Sequence, residues 1–162
     1  MNKTIFPLLL GALSLNSVAV GQALITKSND SGYTLPEYVR NETCSVFTNR
    51  VVITKRYGGF NDKSFVTREV KRLNVSEGIR NILSLSQEEM LNKKPNLLCD
   101  APTTRISMSV NGSDQILFAS GGCGSPRLER TGPATQMLVD LVNTYCPKTF
   151  DFGANGPDLP AE

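Results

Sequence analysis

The chain has 162 residues, 17 basic and 15 acidic side chains, a net charge of +2, four cysteines and no histidine. Without histidine, Ser-His-Asp and Cys-His nucleophilic sites and His-ligated metals are excluded, and the near-neutral, interspersed charge lacks the basic excess on which nucleic-acid binding depends. The carboxylates include no pair whose surroundings would tune an acid catalyst, so the chain reads as non-enzymatic, with no cofactor and no metal.

In chain order, residues 1–23 (MNKTIFPLLLGALSLNSVAVGQA) combine one lysine, an apolar stretch and small residues at Gly21 and Ala23. This is the pattern of a cleaved secretory signal peptide, and no later stretch approaches the roughly 20 apolar residues of a membrane span. With Lys3 gone, the 17 basic residues become 16 against 15 acidic, a net charge of +1. Residues 24–147 then form a single domain of ordinary size, and residues 148–162, KTFDFGANGPDLPAE, form a flexible tail.

The segment LITKSNDSGYTLPEYVRNET is polar and interrupted by Gly32 and Pro36, which suggests an extended arm with at most one short strand. CSVFTNRVVITKRY and KSFVTREVKRL, separated by GGFND, are rich in β-branched and aromatic residues and predict a first hairpin. NVSEGIRNILSLSQEEMLNKK changes period: Ile79, Ile82, Leu83 and Met90 share a helical face, and Asn74 with Glu77 offers a capping box. Ser86 with Glu89 offers a second, at which the segment can divide into two short helices, and Pro95 ends it.

TRISMSV alternates strictly, and Asn111-Gly112 then supplies a two-residue hairpin turn into QILFAS. An unbroken ladder puts Leu117 and Ala119 on the face of Ile106 and Met108, leaving Ile116 and Phe118 opposite with Arg105 and Ser107. Ala134, Met137, Leu138, Leu141, Val142 and Tyr145 recur at helical spacing after Pro133. The expected fold is α+β, in ββα-ββα order: a four-stranded antiparallel sheet from two β-hairpins, two helices packed on one face, and two disulfides.

An oxidising compartment makes disulfides the expected state of Cys44, Cys99, Cys123 and Cys146, and their spacings of 55, 24 and 23 residues hold no CxxC metal pair. The hairpin ladder brings Cys99 opposite Gly124, beside Cys123, and the last helix carries Cys146 away from both. The predicted pairs are Cys99 with Cys123 and Cys44 with Cys146.

The candidate binding residues are Pro126, Arg127, Leu128 and Arg130. Cys123 and the helix at Pro133 would anchor an extended segment with an accessible arginine, and such pre-organisation lowers the entropy cost of binding. The leading functional expectation is a secreted or periplasmic, disulfide-stabilised, non-enzymatic binding domain for a protein partner. The alternative is an inhibitor of a secreted trypsin-like protease offering the Arg127-Leu128 bond. No nucleic-acid partner is expected, and the sequence sets no oligomeric state. Asn29, Asn41, Asn74 and Asn111 begin Asn-x-Ser/Thr sequons.

Overall fold

The computed structural model describes residues 21–32, 35, 38–58, 65–75, 78–96, 102–120 and 124–146. Residues 1–20 of the expected leader, the whole expected tail at 148–162, and the predicted Cys99–Cys123 pair lie outside those residues.

Eight strands form one antiparallel sheet: β1 (Ile25–Asp30), β2 (Arg40–Val46), β3 (Arg50–Tyr57), β4 (Phe65–Arg72), β5 (Met90–Lys94), β6 (Thr103–Val110), β7 (Ser113–Ala119) and β8 (Arg127–Thr131). Their spatial order is β4-β3-β2-β1-β6-β7-β8-β5, with helices α1 (Ile79–Glu88) after β4 and α2 (Pro133–Tyr145) after β8. The four-stranded ββα-ββα expectation is therefore corrected to an eight-stranded sheet, and one disulfide, not two, is found among the described residues.

Four local causes account for the extra strands. The supposed N-terminal arm contains β1, which lies at the centre and pairs with β2 on one side and β6 on the other. CSVFTNRVVITKRY is two strands, because the Phe47 N–H donates to the Arg50 carbonyl at 2.8 Å and closes a turn over Thr48 and Asn49. The helix expected to run to Lys94 stops at Glu88, where Glu89 turns to extended dihedrals (φ −71, ψ 150) and Met90 starts β5. The segment Arg127–Thr131 is β8, paired along its length with β5 and in part with β7.

The β6–β7 turn has the geometry that Asn111-Gly112 favours: Val110 faces Ser113, and the two turn residues sit at φ 51 and 79. A bulge then shifts the register, so that Ser107 faces Ile116 but Ile106 faces Phe118. Phe118 consequently packs against the core instead of lying opposite it with Ser107, and Ala119 faces Arg105 where the unbroken ladder would have put Thr104.

Both helices cover the same face, here the inner face. Ile79 and Leu83 of α1 and Leu138 and Val142 of α2 close over Ile25, Val46, Val51, Ile53, Ile106, Met108 and Leu117 in one cluster. Burying each such aliphatic side chain contributes about 1.5–3 kcal/mol. Cys44, inward on β2, is joined to Cys146 at the end of α2, with Cα atoms 5.8 Å apart. That bond fixes the C-terminal end of α2 to the middle of the sheet.

Candidate binding surface

The four residues singled out from the sequence do not form one presented loop. Pro126 is half-buried just before β8. Arg127 is exposed, its guanidinium 5.1 Å from the Phe118 ring centroid and 3.5 Å from a Glu129 carboxylate oxygen that Lys94 also approaches at 3.5 Å. Leu128 is half-buried opposite Ala119 and Lys93. Arg130 donates to the carbonyls of Gln87, Glu89 and Ile116, tying the end of α1 to β7. Because β8 is hydrogen-bonded to β5, a protease cleft could take the Arg127-Leu128 bond only after the strand unpaired.

The α1–β5 junction also builds the start of α2. Gly132 precedes that helix without a side chain to cap it, and Pro133 occupies its first turn. The cap comes from elsewhere: the Glu89 carboxylate accepts the N–H groups of Ala134 and Thr135, each at 2.8 Å. Burial alone would raise the Glu89 pKa. The Thr135 hydroxyl and N–H, the Ala134 N–H and the Arg130 charge outweigh that effect and hold it below the usual 4.5. Beneath the cap, the buried hydroxyls of Ser86 and Thr135 meet at 2.7 Å.

Sequence reasoning missed a polar cluster on the inner face. Lys27 and Asn29 of β1 and Glu42 of β2 are each at most 5 % exposed. Lys27 Nζ donates to Asn143 Oδ1 at 3.2 Å, Asn29 donates to Glu42 Oε1 at 3.2 Å, and the Thr104 hydroxyl donates to Asn29 Oδ1 at 2.9 Å. Lys55 lies 3.6 Å from the other Glu42 oxygen. Desolvation lowers the Lys27 pKa below 10.5, opposed by the nearby Glu42 charge. No buried side-chain nitrogen or oxygen among the described residues lacks a hydrogen-bond partner, so a ligand here would have to displace existing bonds. Burial also removes the Asn29 sequon from the surface of the folded chain.

The opposite, outer face has neither helix on it. Register places Arg50 directly across from Arg72, Val52 from Val70, Thr54 from Arg68 and Arg56 from Val66 on this side of β3 and β4. Asn41, Thr43 and Ser45 of β2 and Thr26, Ser28 and Asp30 of β1 continue the same face, which reaches Arg105 on β6. Every described β4 side chain, from Val66 to Arg72, is exposed, with Val66 at 56 % and Val70 at 55 %. At the end of this strand pair, Asn49, Arg50, Val70, Arg72, Leu73 and Asn74 line an open depression of about 600 Å³. Arg50 also stacks over Phe47, 4.6 Å from the ring centroid.

Among the described residues, no group of three or more Asp, Glu or Cys could hold a metal ion, and no helix is long and apolar enough to cross a membrane. Comparisons with protein-family models, with curated proteins and with solved structures return no match.

Proposed function

We propose that the chain is a secreted or periplasmic, disulfide-stabilised, non-enzymatic binding domain that recognises a protein partner across the outer face of its sheet. The observation that carries this reading is the composition of that face. Exposed valines on β4 stand among Arg50, Arg56, Arg68 and Arg72, which combines apolar contact with the arginine typical of interface anchors. Val66 and Val70 alternate with Arg68 and Arg72 along the strand, and these guanidiniums favour a partner rich in carboxylates. The leader-like N-terminus and the Cys44–Cys146 bond support an oxidising location.

The test is a pull-down from the source organism's extracytoplasmic fraction, comparing the wild-type domain with an Arg56→Glu, Arg68→Glu variant of matched stability. A protein retained by the wild type and lost from the variant supports the reading. Equal retention by both moves recognition off this face, and retention of nothing by the wild type refutes protein binding under those conditions.

A further inference from the structure

Resting on the reading just given, we infer that the edge of β4, which among the described residues pairs only with β3, accepts an extended, acidic strand from the protein partner. Among the described residues β4 and β5 end the sheet, but they differ. β5 has only five residues, and very short edge strands are one way in which sheets keep an edge from pairing. β4 has eight residues without proline, and its described side chains are exposed on both faces. An antiparallel or parallel strand laid along it would find main-chain groups that β3 leaves unused, as in β-strand addition.

The side chains of β4 set which strand fits. Val66, Arg68, Val70 and Arg72 point to the outer face, where Arg50 lies directly opposite Arg72. Like charges directly opposite are destabilising, and among the described residues neither Arg50 nor Arg72 has an acidic partner. On the other face Lys71 and Glu69 neutralise each other at 3.3 Å. A second copy of β4 laid antiparallel over Val66–Arg72 would put Val66 opposite Arg72 and Val70 opposite Arg68, adding guanidiniums to the face with no carboxylate to meet them. A strand with carboxylates at alternate positions would meet Arg68 and Arg72 and lay its own apolar residues beside Val66 and Val70.

The probe is a blocked peptide, Glu-Glu-Val-Lys-Glu-Thr-Val, written to lie antiparallel to β4 with its first residue opposite Arg72 and its last opposite Val66. Its control replaces the two outward glutamates with lysine. Binding by fluorescence anisotropy should be about tenfold tighter for the acidic peptide, from two cross-strand charge pairs of a few-fold each. Amide hydrogen exchange should slow within Val66–Arg72 and nowhere else. Arg68→Glu, Arg72→Glu should exchange the preference, binding the lysine peptide better than the acidic one. Should that variant unfold, Arg68→Gln, Arg72→Gln must lose the preference altogether. Equal affinity for the two peptides, no binding at millimolar concentration, or protection outside β4 overturns the inference. If the edge fails in this way while the outer-face variant still loses its protein in the pull-down, the wider reading stands without it.

Discussion

Replacing Gly132 by alanine should change sign according to whether Glu89 is present. A Cβ at Gly132 would lie 2.1 Å from Glu89 Cδ and within 2.6 Å of both carboxylate oxygens, so the glutamate must withdraw and α2 loses its cap. Loss of a helix cap costs about 1–2 kcal/mol. The backbone at φ 163 is extended, so alanine itself is unstrained there and should return about 0.5 kcal/mol by restricting the unfolded chain. Gly132→Ala in the wild type is therefore expected to destabilise by about 1 kcal/mol. In a Glu89→Ala background, where the cap is already gone, the same change should stabilise by about 0.5 kcal/mol. Urea midpoints of the four proteins, with the disulfide intact, measure the cycle. The carboxylate adds a pH signature. Its folded pKa lies below the unfolded value, so the contribution is present above the unfolded pKa and disappears as pH falls through the folded one. If Gly132→Ala costs the same with and without Glu89, the capping argument is wrong.

Two further outcomes follow from buried groups. Reducing Cys44–Cys146, which spans 102 residues, should cost up to about 4–5 kcal/mol in the chain-entropy account. An unchanged urea midpoint in reductant, with the free thiols confirmed by alkylation, would contradict it. Lys27 has a folded pKa below 10.5, with Glu42 from β2, Lys55 from β3 and Asn143 from α2 around it. Between that depressed value and 10.5 the unfolded chain binds more protons, so stability should rise with pH relative to Lys27→Met, and a pH-independent difference would refute the assignment.

What could be read from the sequence depended on whether each strand's inward residues were apolar. In β6, Ile106, Met108 and Val110 all point inward and are buried, so strict alternation betrayed the strand and its turn. In β1 the inward residues are Ile25, Lys27 and Asn29, and a central strand whose buried side is polar looks like an arm. The helix α2 was visible through its period, but its phase was not. Thr135 and Cys146 are buried with Ala134, Leu138 and Val142, whereas Met137 and Tyr145 are exposed. The helix packs against both the sheet and α1, which lie side by side with it on the inner face, so its contacts are with particular neighbours and not with the most apolar arc.

The end of α1 shows why local signals misassigned a residue that they had correctly noticed. Ser86 and Glu89 have the spacing of a capping box, and both do serve a helix start, though it is the start of α2, some 45 residues later in the chain. A pattern of spacing cannot say which N-terminus a carboxylate will meet. The same holds for the candidate surface. Arg50 and Arg72 are far apart in sequence, and only the β3–β4 register makes them direct neighbours on one face. Evenly interspersed charge along a chain therefore does not imply evenly interspersed charge on a sheet: in β3 and β4 alternation sends Arg50, Arg56, Arg68 and Arg72 outward and leaves Glu69 and Lys71 together on the other side. A near-neutral composition can thus fold to a locally cationic face, and recognition there depends on the sheet being paired in that register.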